Sequence, residues 1–161
     1  MSSKFGFKRF AALLAVIVIG SLLLAACAAA TATENAASEI PKPSNAGGTG
    51  PAVDLAGDAT AGAAVFTANC VQCHGDKGVG GVANPGSDDG TVPPLNPIDE
   101  GLVNKDLKVF ASNVDLFIEH GSTPEGDSPA LKMAGFGDQK TLTPQQIADV
   151  MAYVMSLNPA K

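Results

Sequence analysis

The stretch Cys70-Val71-Gln72-Cys73-His74 reads C-x-x-C-H, the pattern of covalent c-type haem attachment. The spacing follows from the chemistry. Two thiols two residues apart can each add to one vinyl group of a single porphyrin, giving two thioethers. His74, the next residue, then lies under the macrocycle, where an imidazole nitrogen can bind iron. The pattern has competitors: a chance C-x-x-C, a redox dithiol, or half of a zinc site. A dithiol has no need of the following His, and no thioredoxin-like βαβ pattern surrounds this one. A structural zinc site requires four ligands. The other candidates are His120 and Cys27, and Cys27 has its own reading below.

The chain has 161 residues, enough for one domain and its appendages. Cys27 stands alone and Cys70 and Cys73 belong together, so no pair is left for a structural disulfide. There is no Trp and one Tyr, and four of the seven Phe lie beyond the N-terminal segment. Apolar bulk for a core is scarce, and a haem would supply it. Formal net charge is −6. Without residues 1–26 the chain keeps 7 basic and 16 acidic side chains, a net −9. That balance argues against nucleic acid as a partner and suits a basic docking surface on another protein.

Lys4, Lys8 and Arg9 form a positive n-region, and Phe10 to Leu24 is an apolar run broken only at Gly20 and Ser21. The run is short for a membrane span and right for a signal peptide. Leu24-Ala25-Ala26-Cys27 follows and resembles the lipobox of bacterial lipoproteins. That resemblance implies a signal peptide over residues 1–26, cleavage before Cys27, and lipid chains on the Cys27 thiol and amine that anchor the protein to a membrane. The competing reading is an uncleaved signal anchor. In both, the remainder lies outside the cytoplasm, on the periplasmic or outer face of the membrane. Residues 28–53 are rich in Ala, Thr, Ser, Gly, Asn and Pro, with a breaker cluster at Ala46-Gly47-Gly48-Thr49-Gly50-Pro51. They read as a flexible tether reaching roughly 25–30 Å. The expected organisation is a signal peptide at 1–26, a lipidated Cys and tether at 27–56, and a folded domain at 57–161.

Within that domain, Asp58 is a suitable N-cap for a helix from about Ala59 to Asn69. Gly62, Phe66 and Cys70 fall on one stripe of it. A Gly inside a helix costs roughly 1 kcal/mol against Ala and marks close approach of another backbone. Thr143-Pro144-Gln145-Gln146 announces the final helix, with Thr as N-cap, Pro at N1 and Gln completing a capping box. Ile147, Val150, Met151 and Val154 give it an apolar face, and Tyr153 is placed to lie across Gly62. Asn104 to Ser112 reads as a short helix and Asn113 to His120 as a second, stopped by Gly121.

Gly62, Phe66, Cys70, Cys73, His74 and the Val150/Tyr153 pair resemble class I cytochromes c, over about residues 57–158. The resemblance implies an all-α fold in which N- and C-terminal helices cross over a haem crevice. It implies one covalent haem c with its iron, attached at Cys70 and Cys73, with His74 as proximal ligand. Val92-Pro93-Pro94-Leu95 resembles the family's G-P-x-L segment, with Val92 in the place of Gly. There the Pro carbonyl accepts from the proximal His, which assigns Pro93, with Pro94 as the alternative. Leu131-Lys132-Met133-Ala134-Gly135-Phe136-Gly137 resembles the M-P-x-F-G element, with Ala134 in the place of Pro, and assigns Met133 as distal ligand. His120, Met151 and Met155 are the other candidates. The long loop after His74, to about residue 113, has no assigned role, and its Asp88 and Asp89 read as solvated turn residues.

Two protein ligands leave no place for a substrate on the iron, so the resemblance implies electron transfer and not catalysis. Electrons would pass from a quinol-oxidising complex to an oxidase or a photosynthetic reaction centre. A fixed subunit of a quinol-oxidising complex, such as alternative complex III, is the other form of this reading. Readings from other classes are an open-site haem enzyme or gas sensor, and a non-haem metal-binding lipoprotein.

Overall fold

Helix α1, Ala59–Asn69, begins where the Asp58 carboxylate accepts from the backbone N–H groups of Thr60 and Ala61, at 2.7 and 3.3 Å. These are two of the donors that the first turn of a helix leaves without partners. The computed structural model describes residues 47–159. The readings of residues 1–26, of Cys27 and of the tether up to residue 46 lie outside them. A single further turn, α2, Val71–His74, carries the rest of the C-x-x-C-H stretch. Helix α3 spans Leu107–His120 and helix α4 spans Pro144–Leu157. The α4 start is as expected, with the Thr143 and Gln146 side chains each bonded to the other's backbone.

One helix stands where two were expected between residues 104 and 120. Asp106 caps α3 by accepting from the Lys108 N–H at 2.9 Å. Asn113 does not interrupt it. Its side-chain amide donates sideways to the Leu102 carbonyl at 2.9 Å and leaves the helical ladder intact. Gly121 ends the helix with φ 73°, as expected.

Helices α1 and α4 cross at Gly62. A Cβ at that position would strike the Asp149 carbonyl oxygen and lie 3.0 Å from the Tyr153 Cβ. The Phe66 and Tyr153 rings meet alongside, with centroids 5.2 Å apart and planes tilted by 55°. Ile147, Val150, Met151 and Val154 of α4 are buried, as are Phe110, Val114 and Ile118 of α3. The three helices thus share one core. Burying each such side chain contributes about 1.5–3 kcal/mol. Among the described residues there is no strand, only isolated bridges pairing Ala83 with Thr91 and Ser122 with Met133. No described helix is long and apolar enough to cross a membrane.

Residues 47–56, expected as the end of the tether, instead pack on the domain. Pro51–Asp54 form a short 3-10 turn, and Ala52 within it is fully buried in the core. The Gly50 N–H donates to Asp115 Oδ2 at 2.7 Å. The Gly48 carbonyl accepts from His120 Nε2 at 2.8 Å. Composition read this stretch as linker. What holds it is partners 65 and 72 residues away.

Substituting Gly62→Ala tests the crossing. Alanine gains about 1 kcal/mol of helix propensity, while overpacking against a backbone carbonyl costs about 3 kcal/mol. The expected net is a loss of about 2 kcal/mol in denaturant unfolding of the holoprotein. A variant as stable as wild type would show that the helices do not approach this closely.

Candidate functional site

Helix α1 delivers Cys70 to the edge of the core, where it packs half-buried at the end of the Gly62–Phe66 stripe. Cys70 serves as N-cap to α2, and one turn later Cys73 and His74 follow. Both thiols are free. The chain then folds back on itself. The Gly80 N–H donates to the His74 carbonyl at 2.7 Å, and the N–H groups of Leu95 and Asn96 both donate to the Gly78 carbonyl, at 2.7 and 2.9 Å. Gly80 has φ +71°, and a Cβ there would lie 2.7 Å from both the Cα and the nitrogen of Pro94. Only glycine lets the Pro93–Leu95 segment come so close.

That packing sets the Pro93 carbonyl 3.3 Å from His74 Nδ1. Of the two prolines, Pro93 is the one whose carbonyl meets the ring. With its proton on Nδ1, the imidazole donates to Pro93 and leaves Nε2 unprotonated, as a metal ligand requires. Val92 stands where the family pattern has Gly. The Val92 N–H donates to the Val82 carbonyl at 2.7 Å and its side chain is buried.

Burial lowers the His74 pKa from its ordinary 6.5, against the opposing pull of the Pro93 carbonyl. The neutral imidazole is the form that binds metal. Burial, and secondarily Cys73, pushes the Cys70 thiol up to about 11. A redox dithiol depends on a depressed thiol pKa, so this environment does not suit that chemistry. The residues do fit a haem: two free thiols and an oriented imidazole lie in sequence. Val71, Leu95, Phe117, Met133 and Phe136 are apolar side chains that pack against the core while remaining partly uncovered.

The two leading distal candidates separate clearly. His120 has both ring nitrogens engaged, Nε2 with the Gly48 carbonyl and Nδ1 with Asp138 Oδ2 at 3.0 Å. An imidazole so engaged has neither nitrogen free for iron, and among the described residues no cluster of three metal-ligating side chains joins it to Cys70 and Cys73. Met133 lies in an irregular segment, half-buried, its backbone paired in both directions with Ser122 at 2.8 and 3.0 Å. Met151 is buried within α4, and Met155, on the same helix, also packs against the core. Asp88 and Asp89 are exposed, as expected of turn residues.

Two groups of interest gave no signal in the sequence. Asn84 is fully buried and bonds through its side chain to the backbone of Leu131. Asp115 is fully buried, and its Oδ1 lacks a hydrogen-bond partner. Burial raises its carboxyl pKa, opposed by the Gly50 N–H.

The family model described as cytochrome c matches residues 59–158. The chain belongs to the cytochrome c family. The all-α class I arrangement expected from the sequence is the one observed. Among curated proteins, the chain is 36% identical over 103 residues to a cbb3-type cytochrome c oxidase subunit FixP of Sinorhizobium medicae. It is 34% identical over 103 residues to the same-named subunit of Rhizobium meliloti. It is 32% identical over 100 residues to a subunit CcoP of Cereibacter sphaeroides. These matches cover 61–63% of this chain and 30% of each relative, so the chain spans under a third of the relatives' length. No solved structure gives a significant match.

The His120 clamp of this cytochrome c domain depends on pH. The Gly48 carbonyl first, and Asp138 second, raise its pKa above 6.5. A group whose folded pKa is raised stabilises the fold fully below its unfolded value and loses that effect as pH rises through the folded value. The stability difference between wild type and His120→Ala is therefore expected to be largest below about pH 6.5 and to shrink above it. Denaturant midpoints of both proteins across that range check this. A difference that grows with pH would reverse the assignment.

Proposed function

We propose that this domain transfers electrons through a single covalently bound haem c, outside the cytoplasm and tethered to a membrane, without itself converting a substrate. The observation that carries this is the ordered set Cys70, Cys73 and His74, with His74 Nδ1 on the Pro93 carbonyl. Cys70 and Cys73 supply the thioether sulfurs. His74 Nε2 is the proximal iron ligand and Met133 the distal one. When bound, the haem supplies a one-electron couple. Pro93 holds the imidazole in one tautomer and one orientation. Thioether ligation by Met133 and burial of the haem both disfavour the more highly charged ferric state and raise the potential.

With Met133 in place the iron offers no open position, which separates this reading from the haem enzyme and the gas sensor. The occupied ring of His120 supports Met133 by removing its nearest rival. The acidic balance of the chain suits a partner with a basic docking surface. Donor and acceptor are redox proteins, a quinol-oxidising complex on one side and an oxidase or reaction centre on the other. The relatives' names, all oxidase subunits, favour the oxidase as acceptor. They also favour a second form of the reading, a fixed subunit of an oxidase complex. Co-purification with other subunits at stoichiometric yield decides between a roving carrier and a subunit. Lipid on Cys27 is the proposed anchor, and Cys27→Ser is expected to release the domain from the membrane fraction. A variant that stays in that fraction would leave the anchor elsewhere.

Optical spectra test the ligand set. Exported wild type is expected to be low-spin, with a sulfur-to-iron charge-transfer band in the ferric state. Met133→Ala is expected to lose that band and to bind carbon monoxide when ferrous. A wild type that lacks the band and binds carbon monoxide readily would establish an open distal site and return the enzyme and sensor readings to the front.

A further inference from the structure

The loop between His74 and α3 supplies no ligand, yet it holds the most deeply buried side-chain amide among the described residues. Asn84 is 0% exposed. Its side chain does not serve its own loop. Both ends of the amide go to one residue of a distant segment. Oδ1 accepts from the Leu131 N–H at 2.7 Å, and Nδ2 donates to the Leu131 carbonyl at 3.1 Å. This is the pairing that a neighbouring strand would give Leu131, supplied by a side chain. Leu131 lies two residues before Met133.

The surrounding bonds make the amide rigid. Asn84 is fixed within a closed turn: its N–H donates to the Gly90 carbonyl at 2.8 Å, and its carbonyl accepts from Ser87 Oγ at 2.8 Å. The turn then runs alongside the distal segment. The Ala130 N–H donates to the Pro85 carbonyl at 2.9 Å, and the Asp88 N–H to the Glu125 carbonyl at 2.9 Å. On its other side the segment is held by the two-way pairing of Met133 with Ser122. The residues leading to Met133 therefore lie between two supports, α3's end through Ser122 and the loop through Asn84.

We infer that Asn84 is a positioning residue for the distal ligand, and that the loop of residues 83–91 is a brace holding Met133 against dissociation. The inference rests on the assignment of Met133 as distal ligand. A ligand carried on an irregular segment leaves the metal whenever that segment opens. Such a segment has few internal bonds to resist opening. Losing Asn84 would remove two bonds and leave partly buried backbone groups of Leu131 unpaired. An asparagine that only stabilised its own loop would have no need to direct both polar atoms at Leu131.

The test is the rate at which cyanide replaces the distal ligand of the purified ferric holoprotein, read by stopped flow. Asn84→Ala is expected to bind cyanide about tenfold or more faster than wild type, the scale set by two lost hydrogen bonds. Asn84→Asp keeps the acceptor for the Leu131 N–H and loses the donor. It is expected to fall between the two, and it carries the test if the alanine variant does not accumulate. The control is Asn158→Ala. Asn158 is similarly buried, but its side chain bonds to Ile98, Leu95 and Val154, on the Pro93 side. Asn158→Ala is expected to lower the melting temperature without speeding cyanide entry. The brace is overturned if the Asn84 variants bind cyanide at the wild-type rate, or if Asn158→Ala speeds binding equally. A wild type without the sulfur-to-iron band instead overturns the Met133 assignment, and the brace with it.

Discussion

Backbone meets backbone where α1 and α4 cross, at Gly62 and the Asp149 carbonyl. That contact sets the depth at which Phe66 sits, and one turn further along the same stripe it sets where Cys70 emerges. Cys70, Cys73 and His74 are thus not carried on a free loop. They extend a helix whose position is fixed by steric exclusion, which tolerates far less variation than attraction between side chains does. Asp149 adds to this from the other direction. Its carboxylate accepts from the Asp58 N–H and from Gln145, joining the starts of the two helices.

The parts of the fold that could be read from sequence are those whose causes are local. Asp58 caps the residues next to it, and Thr143 and Gln146 are three positions apart. The C-x-x-C-H stretch is contiguous, as the proposed attachment of one small ring system by all three of its side chains requires. Gly62 is the exception that still gave a signal, since a glycine in mid-helix has a visible energetic cost that only a distant contact explains. Pro93 was legible through resemblance, and the geometry around Gly80 explains why that proline and not its neighbour faces His74.

What was illegible depends on partners far along the chain. Residues 47–56 have the composition of a linker, and nothing within them predicts that Ala52 fills a gap in the core or that Asp115 receives the Gly50 N–H. Asn113 looks like a helix breaker until its amide finds the Leu102 carbonyl. Asn84 sits in an Asn-Pro-Gly turn, where an asparagine is expected for local reasons. Its actual partner is 47 residues away.

The strap at the N-terminal end has a mechanical consequence. Without it, tension applied along the chain before Gly47 would reach the domain at Asp58 and peel α1 from its cap. With it, the load enters in the C-terminal half of α3, through Gly48 on His120 and Gly50 on Asp115. Those two bonds act as a strain relief ahead of the helix that bears Cys70. A pull on the chain from before Gly47 would be taken up on another helix before any of it was felt at Cys70 and Cys73.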